Sequence, residues 1–152
     1  MQSEPEISAL AHSIQLALTP VFLLTGVAGF LNVLANRLAR IVDRTRWLEE
    51  NPGLAGSEIA ARNATELQIL WRRRHLIHRA ITLCTYSATL VAAVVAAIFF
   101  AATGRFNIAI LVMIGFVAAM FALVAGLLSF LREVHLAARY VRGVMPRVDL
   151  GP

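Results

Sequence analysis

The sequence contains no lysine and a single cysteine, Cys84, and its long apolar runs carry no acidic residue. Each absence excludes something. A lone cysteine forms no intrachain disulfide, and one lying inside an apolar run leaves the redox compartment unreadable. Without Asp or Glu in the apolar runs, a proton relay or a fixed cation site at mid-membrane has no ligand. Also missing are a nucleophile with a nearby base at a recognisable motif, a carboxylate pair in an apolar pocket and a glycine-rich phosphate loop, so we expect no enzyme and no cofactor. Met1 to Ser13 holds Glu4 and Glu6 but neither lysine nor arginine. A secretory signal begins with positive charge, and we expect an uncleaved first span.

What is present is apolar. Of 152 residues, 59% are hydrophobic, and the mean hydropathy is +0.71. This length allows one domain, and a soluble core of that size cannot hide so much apolar surface, so the excess faces lipid. The net charge is +5, and all 14 basic residues are arginine. Nine of them fall between Arg37 and Arg79, beside apolar runs rather than on a soluble module. That placement suits anionic lipid headgroups and argues against nucleic acid as a partner.

The expected fold is an all-α integral membrane protein, a single membrane domain over residues 1–152 with spans at about 14–35, 81–103 and 108–131. Pro20 removes a backbone donor from the first span and predicts a kink near Gln15 to Thr19. Beyond the first span, Leu31, Leu34, Leu38, Ile41, Thr45 and Leu48 recur at alternating steps of three and four, extending an apolar seam until Asn51-Pro52-Gly53 breaks it near Glu50. Ser57 suits an N-cap and Glu58 the positive end of a helix dipole. Leu67, Leu70, Ile77 and Ile81 then give a second helix its apolar face. The two extensions predict a cytoplasmic antiparallel helical hairpin at about 36–80. Gly104-Arg105-Phe106-Asn107 is long enough only for a tight turn, so the third span returns antiparallel beside the second. A cytoplasmic C-terminal helix at about 132–143 follows, ended by Gly143 and Pro146.

Orientation follows from arginine counting. The segment Arg37 to Arg79 holds nine and the tail Arg132, Arg139, Arg142 and Arg147 four, against Arg105 alone on the other side. Positive residues stay in the cytoplasm, which predicts an inner (cytoplasmic) membrane protein with its N-terminus outside and its C-terminus in the cytoplasm.

The run LALTPVFLLTGVAGFLNVLANRLARIVDRTRWLE, followed by RRRHLIHRAITL, resembles the bacterial membrane family called Domain of Unknown Function 2721. The likeness covers about His12 to Leu131, and its most specific part is the Pro20 context with Arg37, Arg40, Asp43, Arg44 and Arg46. The resemblance implies a small multi-span bacterial membrane protein and brings no activity with it. At position 78 the family's pattern takes asparagine as readily as histidine, which counts against an essential role for His78.

Three constellations are candidate sites. The first is a polar stripe on the first helix, where His12, Gln15, Thr19, Gly26, Gly29, Asn36, Arg40 and Asp43 recur at steps of three and four and Asn32 lies deep in the span. Polar groups are costly in lipid, so this stripe faces protein or water. We read it as a helix interface, because Gly26 and Gly29 permit close backbone approach, with a pore-lining face as the alternative. The second is a cytoplasmic basic belt of Arg37, Arg40, Arg44, Arg72, Arg73, Arg74 and Arg79. We read it as a topology determinant bound to headgroups, with an anion-favouring pore mouth as the alternative. The third is His75, His78 and His135 with Asp43 and Glu133, side chains of a type that holds metal or haem but at no known ligand spacing, so we expect no metal. Small residues four apart on the second and third spans, among them Gly115 and Ala119, predict tight packing between those spans. The function expected is a homo-oligomeric structural or regulatory membrane subunit, alone or in a larger complex. The alternative is an oligomeric conduit for ions, anions favoured, or for small solutes, lined by the first helix.

Overall fold

The computed structural model describes residues 3–54, 56–103 and 109–144, with side chains described at 14, 15, 18, 20–54, 56–100 and 109–139. They form three α-helices: α1, Ser3–Glu50; α2, Glu58–Thr103; and α3, Ala109–Val144. At about 1.5 Å per residue the helices are about 72, 69 and 54 Å long, each well beyond a hydrocarbon layer of about 30 Å. All three are long and apolar enough to cross a membrane.

α1 begins at Ser3, ahead of the span read from the sequence, and stays helical through Pro20 and the residues before it. It ends at Glu50, where the seam predicted. The Asn51 N–H donates to the Trp47 carbonyl at 3.0 Å and the Asn51 side chain donates to the same oxygen at 2.9 Å. Two carbonyl lone pairs left over by the last turn are thereby used. Gly53 (φ 82°) and Gly56 (φ 81°) take the left-handed conformation that turns the chain. At Gly53 a Cβ would also crowd the Ala60 nitrogen at 3.3 Å, so glycine is favoured there on two grounds. Ser57 caps α2 as expected, its Oγ accepting from the Ala60 N–H at 3.2 Å. α3 continues through Gly143 to Val144. The Gly104-Arg105-Phe106-Asn107 turn and Pro146 lie outside the described residues.

The chain divides into two compact units. One comprises Met1–Val33 with Thr82–Ala125. Val27, Cys84, Val91, Val94 and Ala119 are buried in it, while Phe22, Phe100, Ile110 and Phe121 are largely exposed. Lipid is as apolar as these side chains, so close approach and hydrogen bonding, rather than apolar burial, hold such a unit together. Both are present. A Cβ at Gly115 would lie 2.9 Å from Val94 Cγ2, so α2 and α3 approach so closely here that a larger residue would displace Val94. Ser87, fully buried, donates to the Ala119 carbonyl at 2.8 Å. Thr25 and Thr89 donate to carbonyls one turn back on their own helices, which hides their hydroxyls from the surroundings.

The other unit comprises Leu34–Ile81 with Gly126–Pro152. Ile41, Leu48, Leu70 and Ile77 form its core, flanked by Leu38, Leu67 and Ile81. These are the seam residues of the sequence, with Leu34 and Thr45 also buried. Thr45 enters this core by donating to the Ile41 carbonyl at 2.8 Å. Residues late in α1 meet residues early in α2, and Asn63 closes the turn by donating to the Asn51 carbonyl at 3.0 Å. The sequence suggested two paired extensions and a helical continuation of the third span, and α3 does run on unbroken to Val144. Here the end of α3 joins the other two, through Glu133.

Candidate functional site

Glu133 is fully buried, at 0% exposure. A carboxylate is tolerated there only if its oxygens are met, and both are. Arg37 on α1 donates from Nη1 to Oε2 at 2.8 Å. Arg73 on α2 approaches Oε1 with Nε at 2.9 Å and Nη2 at 2.8 Å. One acid from α3 is therefore gripped by a guanidinium from each of the other helices. Arg37 also lies over the Phe130 ring, 5.2 Å from its centroid. Nearer the turn, Arg44 holds Glu66 with two donors, Nε to Oε1 at 2.8 Å and Nη2 to Oε2 at 3.1 Å, and stacks 4.6 Å over Trp47. This parallel two-donor grip is the strong form of such a pair.

Between the two ion-pair groups lies a cleft of about 330 Å³ lined by Arg37, Arg40, Arg44, Glu66, Arg73 and the apolar Ile41, Ile69, Leu70 and Ala137. Four of the seven arginines expected to form a belt thus share one concavity. Arg72, Arg74 and Arg79 are exposed away from it, Arg74 lying 5.2 Å over Trp71.

The polar stripe of α1 is placed on the opposite side from the buried seam. Gln15, Gly26, Gly29, Asn32 and Asn36 are exposed, whereas Val27, Leu34, Ile41 and Leu48, seven apart, are buried. A Cβ at Gly26 or Gly29 would meet nothing within 4 Å. The side chains of His12 and Thr19 lie outside those described. Nδ1 of His75 lies 3.2 Å from the Trp71 carbonyl and Nδ1 of His135 lies 3.0 Å from the Leu131 carbonyl, each on its own helix, and both rings are exposed, as is that of His78. Among the described residues no three of His, Cys, Asp and Glu are grouped to hold a metal ion.

Sequence reasoning missed Glu133 as the acid that anchors the belt, placing it instead beside the histidines. A signal was available: between Glu66 and Asp149 it is the only acidic residue, and it stands two positions beyond the most apolar span. An isolated acid at such a point needs a basic partner from another helix.

The class these features define is an all-helical chain with three helices fit to cross a membrane and an arginine-rich unit tied through one buried acid. The chain belongs to the family described as Protein of unknown function (DUF2721), which it matches over residues 17–142. No curated protein and no solved structure matches it.

Proposed function

We propose that the protein is a homo-oligomeric structural or regulatory subunit of the bacterial inner membrane, with its N-terminus outside, its arginine-rich helical hairpin and C-terminus in the cytoplasm, and no reaction of its own. The observation that carries this reading is the exposed face of α1. Gln15, Asn32 and Asn36 lie on it beside Gly26 and Gly29, whose missing side chains leave open space within the chain. A face of that kind is costly against acyl chains, and small residues let a second backbone approach closely. A second copy of α1 is the simplest occupant, although a subunit of a larger complex would serve the same chemistry. The arginine excess on one side supports the orientation, and the exposed Arg72, Arg74 and Arg79 suit anionic headgroups at the cytoplasmic interface.

A second reading takes the same polar face as the lining of a wet axis, with the arginine excess beyond Asn36 giving it a cationic mouth and an anion preference. One experiment addresses both. Gly29→Leu fills space that the chain itself does not use, so the fold is kept while close approach of a second copy is blocked. In detergent or nanodiscs, light scattering is expected to show an oligomer for the parent and a smaller species for the variant. An unchanged mass sinks the α1 interface. Conductance of the parent in planar bilayers, lost in the variant, selects the conduit; silence selects the structural subunit.

A further inference from the structure

We propose that the cleft lined by Arg37, Arg40, Arg44 and Arg73 is a discrete binding site for a phosphate-bearing anion, one per chain. This goes beyond a general attraction of arginines to headgroups, and it depends on neither the membrane concerned nor the orientation.

The charge balance comes first. Four guanidinium groups line or floor the cleft against two carboxylates, Glu66 and Glu133, which leaves two positive charges over. A phosphate monoester carries about −1.5 to −2 near neutral pH and matches that excess. Preorganisation follows from the ion pairs. Arg37 and Arg73 are fixed by Glu133 and Arg44 by Glu66 and Trp47, so little side-chain freedom is left to lose when an anion arrives. The donors of Arg37 and Arg73 are not exhausted. A guanidinium has five N–H groups, whereas Arg37 gives Nη1 and Arg73 gives Nε to Glu133, Arg73 Nη2 lying 2.8 Å from the same acid.

Arg40 is the fourth arginine, one turn from both Arg37 and Arg44, exposed and in no ion pair among the described residues. It is the group with most to gain from a ligand. The remaining lining, Ile41, Ile69, Leu70 and Ala137, is apolar and suits the carbon part of a phosphate ester. At about 330 Å³ the cleft is at the small end of ligand sites, enough for a phosphate and a short organic group. That chemistry belongs equally to a soluble phosphomonoester and to a lipid ending in a phosphate.

The test uses the full chain in phosphatidylcholine nanodiscs. One arm titrates sn-glycerol 3-phosphate by calorimetry. The other adds phosphatidic acid to the discs and counts retained lipid by native mass spectrometry. The expected result is saturable binding of one ligand per chain in at least one arm. Binding should weaken at least about tenfold in Arg40→Gln, as expected for loss of a charge-assisted contact, while the melting temperature of the unliganded protein stays unchanged. Arg74→Gln, outside the cleft, should bind as the parent does. Binding in both arms marks a site open to soluble phosphates, and binding of phosphatidic acid alone marks a headgroup site. No saturable binding in either arm, or equal losses from Arg40→Gln and Arg74→Gln, overturns the proposal, the latter because the arginines would then act as a diffuse belt.

Discussion

The two compact units use opposite chemistry to fix helices of the same chain. In Met1–Val33 with Thr82–Ala125, small buried residues such as Val27, Val91, Val94 and Ala119 are joined by a close approach at Gly115 and a hydroxyl-to-carbonyl bond from Ser87. In Leu34–Ile81 with Gly126–Pro152, it rests on an apolar seam of Ile41, Leu48, Leu70 and Ile77 and on a buried acid held by two guanidinium groups. The two modes of packing suit different solvents. Water drives apolar side chains together and makes a seam effective, by about 1.5–3 kcal/mol for each fully buried Leu or Ile. Lipid supplies no such drive, and close van der Waals contact has to do the same task.

The contrast can be broken most readily at Glu133. Glu133→Ala leaves Arg37 and Arg73 facing each other without the acid between them and is expected to destabilise the arginine-rich unit by about 3 kcal/mol. Hydrogen exchange should quicken in residues 34–81 while residues 82–100 keep their protection. Equal loosening of both segments would mean that the units do not stand on separate chemistry. A smaller effect, about 1–3 kcal/mol, is expected from Gly115→Ala, whose added carbon meets Val94 Cγ2 at 2.9 Å. Reversible unfolding in mixed micelles would read it, and a neutral outcome would show that α2 and α3 can separate there at little cost. The least effect belongs to Ser87→Ala. Hydrogen bonds between helices in lipid average about 0.6 kcal/mol, and a loss above about 2 kcal/mol in the same assay would place this bond in the stronger class of the other unit.

Much of this was legible in the sequence, and the legible part was local. The seam from Leu34 to Leu48 declares itself because its apolar positions recur with the period of a helix pair, and it is the buried face. Ser57 declares itself by standing one residue ahead of a helix with Glu58 behind it, and Asn51-Pro52-Gly53 by its turn chemistry. Gly115 and Ala119 were readable as a close contact from their spacing, and both lie where α3 meets α2. The site was less readable. Seven arginines form an undifferentiated belt in the sequence, and only the fold sorts Arg37, Arg40, Arg44 and Arg73 into a cleft. What draws Arg37 and Arg73 into it is Glu133, which lies 96 residues from Arg37 and 60 from Arg73. No periodicity reports a partnership across that distance. It depends on α3 remaining helical past its apolar stretch and packing on both other helices.

The clasp on Glu133 also sets the roll of α3. An α-helix turns about 100° per residue, so slipping the helix by one position would carry the acid out of reach of both guanidinium groups. The residue that would take its place after a one-residue insertion between Gly126 and Arg132 is Arg132. A third cation would then confront the two already there, and the misaligned helix would be repelled rather than merely unheld. Correct azimuth is thus enforced by attraction at one position and, against a slip of this sense, by like charge at the preceding residue.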